Sequence, residues 1–305
     1  MDESPKKEPL SRSQWSLLCL ILAVTAGSVI YKVIVHHRLE QTAMLFIGIP
    51  TVLAIALTLT PKARTAKGGI LKGITIALML SGPLLGEGFV CILMASPLFY
   101  LVGIVVGVAV DYRRRKRHAT ISCLLLVLVP MSMEGVTPRL SFNRSETVQV
   151  SKIVQAPARE VEGAVSQSPR LGARLPFYLR LGFPRPAEAR GEGLQIGAER
   201  IIHFAGGEGR PGDLILRVSD SRVGYVRFDA VSDHSKVAHW LTWSSSEVRW
   251  APLNARQTRV TWALQFQRRL DPAWYFGPWE RYAAELAAGY LIETNAKPAG
   301  NVGNN

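Results

Sequence analysis

The apolar residues of this chain are concentrated between residues 15 and 133, and this concentration limits what that region can fold into. The whole sequence is 48% hydrophobic, which is more than one soluble domain of this length needs. About 20 apolar residues span a bilayer core, and a single segment satisfies its backbone hydrogen bonds there only as a helix. We therefore expect an all-α transmembrane bundle of about five helices, at 15–35, 43–60, 70–86, 89–110 and 119–133.

The basic residues of this region predict its orientation. The polar N-terminal segment 1–14, the loop 61–72 and the cluster 113–117 are rich in Lys and Arg, as cytoplasmic loops are. The N-terminus is therefore expected in the cytoplasm, and five spans place the C-terminal half outside, as in a bacterial inner membrane. If 119–133 does not span, that half is cytoplasmic. Glu87 would be costly and functional inside the membrane, but its flanking glycines favour a turn at water level.

Downstream of a linker at 134–145, a period of two predicts a β-rich domain over residues 146–294. In the segment 260–267, large apolar side chains alternate with mostly polar ones, so one face of the strand is expected to be buried. Turn-forming glycines and prolines separate several such segments, which is typical of an antiparallel meander. The further strands are predicted at 147–154, 214–218, 225–229 and 247–250.

A long amphipathic helix is predicted to close the domain, from about Pro278 to Glu293. Proline suits a first helical turn because its missing N–H would have no partner there. Glu280 lies off the predicted apolar face, which steps by three and four through Trp279, Tyr282, Ala283, Leu286 and Tyr290. A shorter helix is expected to begin at 156–161. The tail 295–305 is rich in Asn and Gly and is expected to be disordered.

This order of elements resembles the SRPBCC or START-like helix-grip superfamily, in particular its polyketide cyclase/dehydrase and lipid-transport branch. The resemblance covers about half the chain and rests on Ala156-Pro157-Ala158 after the first strand, on Val248-Arg249-Trp250-Ala251-Pro252, on Thr258-Arg259-Val260-Thr261-Trp262 and on the closing helix. It implies an α+β domain in which a curved antiparallel sheet grips the C-terminal helix, with a deep apolar cavity between them. The superfamily includes enzymes as well as proteins that only bind or carry ligands.

Aromatic residues are the expected lining of that cavity. Six of the seven tryptophans lie in the domain, and aromatic side chains commonly line ligand pockets, although several must belong to an ordinary core. Glu247 and Arg249 share one face of their strand, where they either orient the polar end of a ligand or, as we favour, form a solvated face. The candidates for cavity lining are Trp240, Trp250, Trp262, Leu264, Phe266, Tyr282, Leu286 and Tyr290.

No residue pattern predicts a catalytic, cofactor or metal site. The cysteines lie in apolar runs, and the adjacent histidines at 36–37 lack a third ligand nearby. The glycine-rich segment 206–212 lies between two strands, whereas a phosphate loop opens a helix, so we expect a hairpin turn. The formal charge is +13, but no clustered basic stripe predicts a nucleic-acid partner. The excess charge suits a surface near anionic lipid head groups.

The sequence favours a membrane-anchored protein that binds or transfers a hydrophobic ligand, such as a lipid, an isoprenoid or a polyketide-like molecule. An alternative is a cyclase- or aromatase-like enzyme acting inside the same cavity. That alternative requires a buried acid or histidine with a shifted pKa, and Glu247 is its first candidate. A third hypothesis is a membrane sensor or assembly module, in which the helices bind protein partners and the domain reports the ligand state.

Overall fold

The computed structural model describes residues 14–23, 26, 49–59, 63–85, 89–115, 134, 141–205 and 211–297. The chain divides into two compact units, residues 1–129 and 130–305, which are taken in turn. The predicted span 119–133 and the predicted turn at Glu87 lie outside the described residues. Most of the predicted tail, from residue 298 onward, does so as well.

The described part of the first unit is helical. One of its helices, over Val90–Tyr112, is long and apolar enough to cross a bilayer, with a mean hydropathy of 2.3. The crossing of a membrane by this and the other predicted segments, and the orientation of the chain, stay predictions. The helices are α1 (Gln14–Ala23), α2 (Ile49–Leu59), α3 (Ala66–Leu85) and α4 (Phe89–Arg115).

Helices α3 and α4 form a close antiparallel pair. The Asp111 carboxylate near the end of α4 accepts hydrogen bonds from the backbone amides of Ala66 (2.7 Å) and Lys67 (3.0 Å) at the start of α3. Gly103 and Gly107 lie on the side of α4 that faces α3, and a Cβ at Gly107 would come within 2.6 Å of the Lys67 Cα. Small residues at this spacing let two helices approach closely in membranes, so the two glycines set the distance between α3 and α4.

The second unit is a seven-stranded antiparallel sheet closed by a long helix. Its strands are β1 (Ser145–Val154), β2 (Pro186–Arg190), β3 (Glu199–Phe204), β4 (Gly212–Arg222), β5 (Tyr225–Asp233), β6 (Leu241–Asn254) and β7 (Gln257–Arg268). Their order in space is β1-β7-β6-β5-β4-β3-β2. Helix α5 (Ala158–Ser166) follows β1, and α6 (Ala273–Asn295) follows β7. The predicted α+β fold, an antiparallel sheet against a C-terminal helix, is confirmed for this half of the chain.

The period of two along the strands decides which face of the sheet carries the core. In β7 the side chains of Val260, Trp262, Leu264 and Phe266 are all buried, and their neighbours in sequence point to the other face. Irregular register in β6, between Trp243 and Ser245, keeps the same face inward where the strand bends. We call this core-bearing side the inner face of the sheet. The sequence did not predict strands β2 and β3.

The closing helix begins earlier than the sequence predicted. Pro272 precedes its first residue, Ala273, and Pro278 lies inside the helix. A proline there removes one backbone hydrogen bond, to the carbonyl four residues earlier. The residue before a proline is also restricted by its own Cβ, and Gly277 has none. The helix therefore continues through Pro278 and packs on β1 and β7.

The buried face of α6 is only partly the one predicted, since Ala283 and Tyr290 are buried but the side that faces the sheet is a different one. The side toward the sheet carries Glu280, Ala284, Ala288 and Ile292, all buried, whereas Trp279 is 39% exposed and Tyr282 is 49% exposed. Short side chains let the helix backbone approach the bulky aromatic residues of the sheet closely, so the larger helix residues are displaced sideways. A pattern that ranks residues by size and hydrophobicity therefore selects the wrong stripe.

Candidate functional site

The inner face of the sheet is only partly covered by the closing helix. Because α6 packs on β1 and β7, apolar residues on the inner face of β3, β5 and β6 stay partly exposed, although they pack against the buried core. Two residues on the flank of α6 share this state. We call this set the inner apolar surface, and its members are Ile202, Phe204, Ala230, Trp243, Ala287 and Leu291.

Four of the predicted lining residues belong to the buried core on which this surface packs. Trp250, Trp262, Leu264 and Phe266 are buried on the inner face of β6 and β7. The ring of Phe266 meets that of Trp243 edge to face, with centroids 6.0 Å apart. The indole Nε1 of Trp262 donates to the Ser246 hydroxyl at 2.9 Å, which satisfies its only donor inside the core.

The other predicted lining residues lie where α6 meets the segment 171–185. Tyr282 packs edge to face on Tyr178, with ring centroids 5.2 Å apart, and the buried Trp240 packs in the same way on Phe183, also at 5.2 Å. Leu286 is half-buried on the same helix. The hydroxyl of the buried Tyr290 lies 3.0 and 3.1 Å from the carbonyl oxygens of Leu171 and Ala173. Tyr282 and Tyr290 therefore hold the segment 171–185 against the helix, and Trp240 holds it against the start of β6.

Glu247 and Arg249 lie on the outer face of the sheet. The Glu247 carboxylate accepts hydrogen bonds from Arg227 and Arg249, each at 3.0 Å. Both residues alternate with the buried Val248 and Trp250, so their side chains point away from the inner apolar surface. The pair thus lies on the outer face, where Glu247 is 9% exposed between its two arginines, and this acid does not face the inner apolar surface as the enzyme hypothesis requires.

A buried arginine on the inner face was missed in the sequence. Arg200 in β3 is only 3% exposed, and its guanidinium carbon lies 4.5 Å from the centre of the Phe228 ring. Its Nη2 donates to the carbonyl of Val165 at the end of α5, while its Nε has no hydrogen-bond partner. A signal was available, because Arg200 is in phase with Ile202 and Phe204 and interrupts an otherwise apolar face.

A buried acid on the closing helix was also missed. Glu280 is 4% exposed, and burial raises the pKa of its carboxyl to about 7. The Arg268 guanidinium and the backbone amides of Leu270 and Arg269 oppose this rise in pKa, but neither carboxylate oxygen completes a hydrogen bond with a partner. Glu280 stands at steps of four from Ala284, Ala288 and Ile292, which was the available signal for the true buried stripe.

Arg268, the last residue of β7, is the counter-charge of this buried acid. Its side chain is buried, its Nη2 donates to the Asn143 carbonyl at 3.1 Å, and its Nε lies 3.5 Å from the Glu146 carboxylate. A Cβ added to Gly277 would touch the Arg268 Cδ at 3.7 Å, so the arginine lies directly beneath the first turns of α6. In the part of the chain that the structure describes, no three His, Cys, Asp or Glu residues form a metal-binding group.

No family model and no curated protein matches this chain. Among solved structures, the Zhui aromatase/cyclase from Streptomyces sp. R1128 is 17% identical over 49% of this chain and 85% of its own, with a TM-score of 0.30. Norcoclaurine synthase from Thalictrum flavum, in complex with dopamine and hydroxybenzaldehyde, is 15% identical over 50% and 88%, with a TM-score of 0.30. A protein of unknown function from Staphylococcus aureus is 12% identical over 50% and 91%, with a TM-score of 0.33. Similarity at this level says nothing of a ligand or a reaction.

Proposed function

We propose that the C-terminal half of this protein binds a hydrophobic small molecule or lipid on its inner apolar surface, and that the helical half holds it beside a membrane. The inner apolar surface carries this proposal. Apolar side chains that belong to the core side of a sheet are normally covered, and here Ile202, Phe204, Ala230 and Trp243 are covered only in part. A ligand that completes their burial gains about 25 cal/mol per Å² of apolar surface, before the costs of association.

The helical half supports the membrane part of the proposal. Helix Val90–Tyr112 has the length and composition to cross a bilayer, and α3 packs closely against its glycines. A domain tethered in this way meets hydrophobic molecules at the high local concentration of the bilayer. Lipids, isoprenoids and polyketide-like molecules are the ligand classes we propose.

We expect Ala287→Trp to lower the amount of ligand that purifies with the full-length protein by about tenfold. The larger side chain competes with the ligand for contact with the other residues of the inner apolar surface, and a loss of about 1.4 kcal/mol of binding free energy corresponds to this factor. The measurement is quantitative mass spectrometry of organic extracts from the full chain, purified in one detergent from one host.

The matched control is Ala251→Trp, which adds the same indole at an exposed position of β6. Lipid that merely adheres to the transmembrane region is equal in the two variants, so only their difference reports on the domain. Equal amounts of every extracted molecule in the wild type, Ala287→Trp and Ala251→Trp would contradict the proposed binding surface.

A second candidate function is catalysis inside the same half of the chain, and Glu280 favours it. Its buried carboxyl has a pKa near 7, which suits a general acid or base at neutral pH. If Glu280 transfers a proton during turnover, Glu280→Gln protein accumulates the unreacted molecule. We then expect the ligand extracted from this variant to differ in mass from that of the wild type. The same molecule in both extracts would leave binding alone as the function.

A further inference from the structure

We propose that the bound molecule carries an anionic head group, a carboxylate or a phosphate monoester, and that Arg200 is the residue that pairs with it. This inference rests on the proposed function above, since it names the ligand class for the same inner surface. The observation behind it is a separate one: an arginine is enclosed in the domain, and none of the acids that the structure describes lies beside it.

The two arginines that are buried in the described part of this half differ in one respect. Arg268 has the Glu146 carboxylate 3.5 Å from its Nε and the Glu280 carboxyl nearby. Arg200 is equally enclosed, yet within the described residues no carboxylate lies within ion-pair distance of it. Its neighbours are instead a carbonyl, that of Val165, and the ring of Phe228.

A buried guanidinium in this position lacks a counter-charge and one hydrogen-bond acceptor among the described residues. Burial lowers the pKa of Arg200 to about 10, so the group is still charged at neutral pH. A buried charge is normally paired, because desolvation without a partner is costly. One carbonyl and one aromatic ring offset part of that cost, while Nε stays without a partner. An anionic oxygen would supply both the missing acceptor and the missing charge.

The position of Arg200 in the sheet tells where the rest of such a ligand lies. Arg200 pairs across the sheet with Leu216 of β4, and Leu216 pairs with Ala230 of β5. On its own strand it is in phase with Ile202 and Phe204, which belong to the inner apolar surface. A head group at Arg200 therefore leaves an apolar tail free to lie along that surface, which matches an amphiphile with a single charge at one end.

The test uses photoreactive probes of equal chain length on the full-length protein. Three long-chain diazirine probes, a carboxylate, a phosphate monoester and an alcohol, are irradiated with the protein in detergent micelles. Covalent labelling of peptides within residues 141–297 is then quantified by mass spectrometry. We expect one or both anionic probes to label this half about tenfold more than the alcohol, and the stronger of the two identifies a fatty-acid-like or a phosphate-bearing ligand. This comparison needs no substitution.

Arg200→Gln then assigns the preference to one residue. The charge is gone in this variant while a polar side chain remains, so anionic labelling should fall about tenfold to the level of the alcohol probe. Arg200→Lys retains the charge without the fork of donors and should give an intermediate yield. The control is Arg217→Gln on the neighbouring strand, where Arg217 is exposed and bound to Glu199 at 2.6 Å, and it should leave all yields unchanged.

The outcomes separate the two proposals. Equal labelling by all three probes overturns the role of Arg200 and leaves the binding of a hydrophobic molecule standing. Absence of labelling by every probe within residues 141–297 overturns the proposed function itself. An anionic preference that survives in correctly folded Arg200→Gln protein overturns the assignment to this arginine.

Discussion

Replacing Arg268 with methionine is expected to lower the free energy of unfolding of the C-terminal half by about 2–3 kcal/mol at about pH 8, of which Glu280 accounts for about 1.4 kcal/mol because it can stay protonated. Methionine fills a similar volume, so the loss is mainly electrostatic. Without the guanidinium, the Glu280 carboxylate is buried without a counter-charge, and the Asn143 carbonyl loses its donor. Urea unfolding of the full-length protein, followed by tryptophan fluorescence, measures the effect, because six of the seven tryptophans lie in this half.

The loss should depend on pH in a definite direction. The pKa of Glu280 is raised by burial from 4.5 to about 7, so the folded state holds this proton more tightly than the unfolded state. The associated stability is fully present below about pH 4.5 and is lost as the pH rises through about 7. At about pH 5 Glu280 is protonated with or without Arg268, and the effect of Arg268→Met should be clearly smaller than at pH 8.

Two further variants make the assignment specific. Arg269→Met changes the neighbouring arginine, which is exposed and bonded to the Thr242 hydroxyl, and should shift stability by no more than about 0.5 kcal/mol. Adding Glu280→Gln to Arg268→Met should recover part of the lost stability and remove its pH dependence. If the single and the double variant unfold alike at both pH values, Glu280 is not the group that Arg268 compensates.

Replacing Phe266 with alanine is expected to cost about 3–5 kcal/mol at any pH near neutrality. Phe266 is completely buried on the inner face of β7 and supports Trp243 through an edge-to-face contact. Its removal leaves a cavity under the inner apolar surface that neighbouring strands cannot close. The same fluorescence-detected urea titration measures the change in free energy.

Gln267→Ala is the control for this prediction. Gln267 is the next residue of β7 and lies exposed on the outer face, so its truncation should change stability by no more than about 0.5 kcal/mol. Comparable destabilisation by the two variants would mean that the strand itself, rather than the buried ring, responds to substitution.

The strands that could be predicted from the sequence are those with one solvent-exposed face and one buried face. In β7, Val260, Trp262 and Leu264 alternate with smaller or polar residues, and the fold keeps every one of them inward. Strands β2 and β3 are short, and β3 carries charged residues on both faces, at Glu199 and Arg200, so its alternation is weak. Strand β3 forms a hairpin with β4, and β2 pairs with β3, so their place in the sheet depends on pairing between strands, which the periodicity within one segment does not report.

The candidate site was less predictable, because its polar residues break the patterns that reveal the fold. Arg200 and Glu280 occupy inward positions where a hydrophobic residue would be expected, so a search for apolar stripes passes over them. Glu247 is a conspicuous acid in a predicted strand, but it alternates with the inward-facing Val248 and Trp250, so the sequence already predicts that it lies on the outer face. The helix stripe was misassigned for a related reason, since alanines facing large sheet residues bury more completely than Tyr282 does.

The pairing of β1 with β7 has a consequence for how this chain is made. The first strand of the sheet leaves the ribosome early, yet its partner residues, such as Ser151 and Thr261, are 110 positions apart. At a synthesis rate of roughly 5–20 residues per second, β1 waits for several seconds with both edges unpaired. During that interval the nascent domain is open to mispairing and to chaperones, and the sheet is completed only after β7 has been translated.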